Sequence, residues 1–567
     1  MSTTQKDISS SPFSHHESMD FSALAVRPAL GTATIALLLV LIYLFRLNQV
    51  LAGTPEEVRK LAPRRWTRTE LLETYERLKK RPFTTDNYAQ QIPPKLERRY
   101  IVTGGSGLVG GYLVLQLLQR GQPPSSIRIL DFKPLSRQDM LDESSQAYDC
   151  DFVQTDISSA SSTEQAFAKP WPPSVKHLPL TVFHTAAVIV PSDRSKLEYA
   201  FCQAVNVRGT QNVVDAARRA GADVFVSTTS ASISIRPVEF WIAPWKLFWG
   251  RSSRWPRNFW QVLDVADFDK SLRKHEEFYA NYPASKAAAE RIVCDANSKG
   301  FRTGSIRPAH GVYGNPTSNT VGGPLNMGTC PTWTSHIVQS FVHGINVAIA
   351  HLHFEAMLAS SPDSYLAPQA GHPFVVTDPN LPITYGDLYF VLKTLAVTPF
   401  RTLCLPPLPL LLVSYPIEWY SLLLAKYPIL RRVFPPLKGD VKHLKPGLFS
   451  ICTHLVATND TAGRSVENGG LGYRGVLTTM EGMVQEVMEW NEWHQRDSGT
   501  DGARVGKKAY QSSVSLADEI HAAAAWCCPE VEIKAGDYVH VTHLTQQREL
   551  LNRTTTNIVQ GRAEQAA

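Results

Sequence analysis

The chain has 567 residues, 43% hydrophobic and 19% charged, which excludes a disordered or fibrous protein and calls for one main folded unit with appendages. A formal net charge of +6 is small for this length and implies no nucleic-acid partner. The eight cysteines, at 150, 202, 294, 330, 404, 452, 527 and 528, show no repeated C-x-x-C spacing. That excludes a zinc clip, leaves no metal expected, and suits buried thiols in a reducing compartment.

Residues 1–28 are polar and aperiodic and read as a disordered tail. From Ala29 to Phe45 the chain carries no charge, just long enough for a spanning helix, and 29–46 is expected to be a transmembrane anchor. A signal peptide or a buried core helix are the alternatives, but no small-residue cleavage site follows the run. Arg46, Arg59, Lys60, Arg64, Arg65 and Arg68 follow it against Arg27 before it, so the body is expected on the cytosolic side. Residues 47–97 read as a juxtamembrane spacer with helical spacing over Glu56 to Lys80.

Arg99 to Thr103 is a β-prone run, followed by a glycine turn and a helical pattern over Leu108 to Gln119. Further strands are predicted at Ser126–Leu130, Asp151–Gln154, Leu180–His184, Val224–Ser227 and Gly304–Arg307, with helices between them, notably Ala200–Ala220 and one beginning near Tyr282. This alternation predicts an α/β fold whose parallel, doubly wound sheet occupies 98–315. Residues 316–498 are expected to form a smaller substrate-binding, membrane-associated region, and 499–567 a C-terminal extension. Prolines 406, 407, 409 and 416 argue against a straight spanning helix over Phe400–Leu424, which reads as a partly embedded surface segment or a hydrophobic substrate wall.

Gly104, Gly107 and Gly110 in Thr-Gly-Gly-Ser-Gly-Leu-Val-Gly let the backbone approach a pyrophosphate at a helix N-terminus, where Leu108 and Val109 also lie. Asp131, 27 residues after Gly104, is placed to accept from ribose hydroxyls, favouring NAD over NADP. The alternative is a solvated loop aspartate. Tyr282 and Lys286 share one helical face, and a hydroxyl of Ser227-Thr-Thr-Ser230 can bond a substrate oxygen. A phenol needs a neighbouring ammonium and a cofactor's positive ring to act as a base near neutral pH.

With Asp156-Ile157, His184-Thr-Ala-Ala187, Val205-Asn-Val-Arg-Gly-Thr210 and Ile306-Arg-Pro308, these motifs resemble the extended short-chain dehydrogenase/reductase superfamily. Within it, the chain is similar to the 3β-hydroxysteroid dehydrogenase and sterol-4α-carboxylate 3-dehydrogenase family. The resemblance implies a Rossmann fold, a catalytic Ser230, Tyr282 and Lys286, and a cofactor site that adds Asp156 and Ile157 at the adenine, Ala186 and Ala187 behind the nicotinamide ribose, and Pro308 at the nicotinamide. It implies NAD-dependent oxidation of a sterol or triterpenoid 3β-hydroxyl, with loss of a 4-carboxyl group where one is present. A specialised terpenoid or steroid pathway, a dehydrogenase/isomerase, and a non-catalytic cofactor-binding scaffold are the alternatives. The expected partners are membrane lipid and a homodimer or sterol-pathway complex; the expected location is the endoplasmic reticulum, single-pass. The loop reads Ser-Thr-Thr-Ser where the family pattern is Tyr-Thr-Ser-Ser, which raises the question whether Thr229 shares the work of Ser230. Tyr282 lies 52 positions after Ser230, and the interval carries Trp241, Trp245, Trp249, Trp255 and Trp260, interleaved with Arg251, Arg254 and Arg257. They read equally as core packing or as a substrate or membrane loop.

Overall fold

The computed structural model describes residues 21–142, 145–249, 254–360 and 366–497. The expectations for 1–20, for Arg251 and for the extension from 499 lie outside the described residues, as do the side chains of Arg27 and Trp249.

Seven parallel strands form the central sheet: β1 Arg99–Thr103, β2 Ile127–Asp131, β3 Asp151–Gln154, β4 Leu180–His184, β5 Ala222–Thr228, β6 Arg302–Pro308 and β7 Pro373–Val376. Their order, β7-β6-β5-β4-β1-β2-β3, reverses direction at β1 and β4, which is where a doubly wound sheet opens a crevice for a ligand. Seven helices matter below: α1 Phe21–Leu51, α2 Leu108–Gln119, α3 Gly209–Arg219, α4 Asn281–Asp295, α5 Gly344–Ser360, α6 Pro407–Lys426 and α7 Thr479–Asp497. Strand alternation sorts the core. Tyr100 and Val102 pack with Leu113 and Leu117 of α2 and Val347 of α5, whereas Ile101 between them packs with Val213 and Ala217 of α3 and Val293 of α4.

The expected boundary at 315 does not separate the layers. β7 extends the sheet beside β6, and α5 covers it beside α2. A second sheet of four short strands, in the order 383–384, 338–339, 454–457 and 260–263, draws Trp260–Leu263 from the tryptophan-rich interval into the body. Trp255 stacks on Phe259 at 5.8 Å, so that half of the interval is packing. Trp241 and Trp245 instead remain exposed.

The expectation that the prolines keep Phe400–Leu424 from forming a long helix needs correction. α6 is a continuous helix of 20 residues despite its prolines. Pro407 and Pro409 fall in the first turn, where N–H groups have no intrahelical acceptor, so only Pro416 removes a bond. By length and composition α1 and α6 are both apolar enough to cross a membrane.

Glu355 of α5 is fully buried and ties the layers together: it accepts from Arg120 at 3.0 Å and from Thr181 of β4 at 3.0 Å, with Arg98 at 3.9 Å. Glu355→Ala would leave the Arg120 guanidinium buried beside no carboxylate, while Arg98 keeps Asp223. It should cost about 3–5 kcal/mol, read as a drop of several degrees in Tm by thermal denaturation.

Candidate active site

The glycine turn closes against β4. Gly104 has φ +72, and a Cβ there would lie 2.6 Å from Ala186 N; a Cβ on Gly110 would overlap the Gly104 carbonyl oxygen. The turn therefore holds Ala186 and Ala187 beside the start of α2, whose cap Gly107 has no capping side chain and leaves first-turn N–H groups for an anion. Leu108 and Val109 are the first residues of that helix. This cradle fits a dinucleotide pyrophosphate.

Asp131 is part of the turn, not a solvated loop residue. Its carboxylate accepts from Ser106 N at 3.0 Å and Lys133 N at 3.2 Å, which leaves acceptor sites for a ribose diol. Burial raises its pKa against those backbone bonds. Arg137, buried beside the turn, donates to the Leu108 carbonyl at 2.8 Å and to Asp139 at 3.0 Å. Asp156 is exposed, its carboxylate turned onto Ser158 N at 2.9 Å, and Ile157 is buried in the core with α3. Pro308 ends β6, paired with Val376 of β7.

Tyr282 and Lys286 stand one turn apart on α4, and Ser230, whose hydroxyl accepts from Ser232 N at 3.2 Å, acts on the Tyr282 phenol to favour its ionised form. Burial outweighs it and pushes the phenol up to about 12, and burial pushes the Lys286 ammonium down to about 8. The expected lowering of Tyr282 by Lys286 is not what the structure shows. The ammonium donates to the Thr228 carbonyl at 2.8 Å, and burial outweighs everything else acting on the phenol. Thr229 does not share the work of Ser230: its hydroxyl points away and donates to Glu290 at 2.9 Å.

Three residues without an expected role hold this arrangement. Glu290 on α4 also binds Arg307, at 2.8 and 2.5 Å. Asn206 sits in a π-helical turn, 203–208, and donates to the Ser285 hydroxyl at 2.9 Å and to the Val188 carbonyl at 3.0 Å, joining the β4 loop to α4. Asn281 donates to the Ser195 carbonyl at 2.9 Å and sets the start of α4. Helical spacing from Tyr282 and Lys286 could have found Glu290; Asn206 lay inside a noted motif without an assigned task.

The model of the 3-beta hydroxysteroid dehydrogenase/isomerase family matches residues 101–237 and 261–406, and that of the Male sterility protein family matches 180–329. The chain is 31% identical over 221 residues, 38% of its length and 48% of the relative's, to "3 beta-hydroxysteroid dehydrogenase/Delta 5-->4-isomerase" of Mycobacterium tuberculosis. It is 27% identical over 227 residues, 40% and 47% of the two chains, to "Sterol-4-alpha-carboxylate 3-dehydrogenase, decarboxylating" of Homo sapiens. A longer match, 24% identical over 404 residues and covering 69% and 79%, is to "3beta-hydroxysteroid-dehydrogenase/decarboxylase isoform 1" of Arabidopsis thaliana. The first two of these matches span about half of each relative's length.

Gly110→Ala should weaken NAD binding at least about tenfold, because the methyl group must push the turn out of register with the helix N-terminus. Titration calorimetry with NAD checks this without any turnover.

Proposed function

Because the chain belongs to the 3-beta hydroxysteroid dehydrogenase/isomerase family, within the extended short-chain dehydrogenases/reductases, we propose that it is an NAD-dependent dehydrogenase oxidising the 3β-hydroxyl of a sterol or triterpenoid to the 3-ketone. The observation that carries the reading is the convergence of Ser230, Tyr282 and Lys286 beside the glycine cradle.

Gly104, Gly107 and Gly110 hold the pyrophosphate, Asp131 the ribose, Asp156 and Ile157 the adenine side, and Ala186, Ala187 and Pro308 border the nicotinamide end. Bound there, NAD supplies the hydride acceptor and a positive ring. Ser230 donates to the substrate oxygen, and Tyr282 takes the hydroxyl proton. Lys286 is pinned to the Thr228 carbonyl one helical turn from the phenol, and the positive ring of a bound nicotinamide would supply the charge that favours the deprotonated phenol. His184 stays neutral: burial and Lys286 push it down to about 3, and its ring spans the hydroxyls of Thr103 and Thr210. It therefore brings no second cation beside Lys286.

Where the substrate carries a 4-carboxyl group, the product is a β-keto acid, which loses carbon dioxide without a further catalytic residue. The names of the human and Arabidopsis relatives support that finer reading. An apolar α1, exposed over 31–42 and packed on the body at Leu47 and Leu51, supports a membrane anchor, and the basic residues after it a cytosolic body, which is the reading of an enzyme of the endoplasmic reticulum.

Oxidation requires the deprotonated base, so kcat/KM with NAD and a 3β-hydroxysterol should rise with pH as the Tyr282–Lys286 pair loses its proton, while ketone reduction falls over the same range. Tyr282→Phe should lower the rate roughly 10²–10⁴-fold with NAD binding retained. Unchanged turnover in Tyr282→Phe would rule out this mechanism.

A further inference from the structure

α6 is apolar on both sides. The side that packs on the body buries Leu408, Leu411 and Leu424 together with Ser414, bonded to the Leu411 carbonyl at 2.6 Å, and Glu418, which takes Arg194 through two bonds of 2.7 Å. The outward side presents Leu412, Val413 and Trp419 at 42%, 50% and 65% exposure. A helix facing water carries polar residues on that outward side.

The apolar surface extends to both sides of α6. Trp241 Nε1 donates to the Tyr415 hydroxyl at 3.4 Å, joining α6 to the short helix Pro244–Trp249, where Trp245 is 65% exposed and Phe248 43%. On the other side, Tyr420 donates to the Pro435 carbonyl at 2.8 Å, beside Val433 at 73% exposure and Phe434 at 46%.

α6 lies along the body and does not cross away from it. Arg401–Cys404 before it pairs with Thr329–Thr332, Glu418 grips Arg194 midway, and Lys445 after it holds Asp193 and Glu198 at 2.6 and 2.8 Å. Its first turn meets the end of α1, where Leu408 N donates to Asn48 at 3.1 Å and Tyr43 donates to the Ile242 carbonyl at 2.8 Å. Above that junction α1 is exposed, with Ile35 to Ile42 apolar and uncovered.

We propose that the outward face of α6, flanked by Trp241–Phe248 and by Val433–Phe434, is a docking surface for one leaflet of a lipid bilayer, seating the body flat against the membrane beside α1. Continuity with α1, exposed tryptophans, and the basic residues Arg432 and Lys438 next to the apolar rim select a lipid surface with anionic head groups over a second copy of the chain. Arg194, held by Glu418 on the body-facing side of α6, lies with Asp193 on the loop that bonds Asn281, next to Tyr282, so the helix that carries the docked face also braces a loop of the proposed active site. The docking rests on the membrane reading of α1 and is independent of the chemistry assigned to Tyr282.

The test uses the full chain in phosphatidylcholine vesicles containing phosphatidylserine, with single fluorescent labels at Val413→Cys, Trp419→Cys, Leu38→Cys in α1 and Tyr148→Cys, which is 71% exposed near the opposite sheet edge, in a background lacking Cys404, Cys527 and Cys528. Lipids with chain-attached nitroxides should quench positions 413 and 419 severalfold more than 148. Labels at 413 and 419 that stay accessible to an aqueous quencher while 38 is lipid-quenched would overturn the docking and leave the anchor standing. Labels shielded from water yet unquenched by lipid would also overturn it, in favour of a protein contact. A label at 38 left unquenched would overturn the anchor reading itself.

Discussion

A single buried carboxylate sets the register of the candidate site. Glu290 lies four residues after Lys286 and eight after Tyr282 on the same face of α4, and it is held between the Thr229 hydroxyl of the β5 loop and the Arg307 guanidinium of β6. Fixing it fixes the height of the phenol and the ammonium against the ends of two strands. The Ser230 loop is fixed by the same bond, because Thr229 is its neighbour. A buried ion pair of this kind adds little net stability, but losing one partner is costly, so it enforces one arrangement.

The cofactor side depends on a different constraint, close approach of backbones. With no side chains at Gly104 and Gly110, the ends of β1 and β4 and the start of α2 come together, and Asp131 braces the turn through Ser106 N. The two halves meet along the β4 loop: Ala186 touches the turn, and Val188 is bonded on both its N–H and its carbonyl by Asn206, which also reaches Ser285 on α4. Cradle and catalytic helix are thus joined by a path of hydrogen bonds through one π-helical turn.

The sheet was legible in the sequence where short apolar runs end at glycine or at polar turns. Arg99–Thr103 and Leu180–His184, buried on both faces, form as read, as does the half-exposed edge strand Asp151–Gln154, and the strand read as Val224–Ser227 runs from Ala222 to Thr228. β7 was not legible, because four residues beginning with proline at a sheet edge carry no periodicity. α6 was hidden by counting its prolines without asking which fall in the first turn. The shared face of Tyr282 and Lys286 follows from helical spacing alone, but the partner of the ammonium does not: spacing fixes a side, whereas burial and the Thr228 carbonyl decide where its protons point. Asp131 shows the same limit, since its position at a strand end is readable and its grip on the turn is not.

Transfer of hydrogen from carbon to the nicotinamide tests the central claim most directly. A 3β-hydroxysterol deuterated at C3, incubated with this chain and NAD, should give NADH carrying the deuterium at C4 of its ring and a primary isotope effect on the rate at limiting substrate. NADH formed without label, or a labelled sterol recovered unchanged while NAD stays oxidised, would contradict the account.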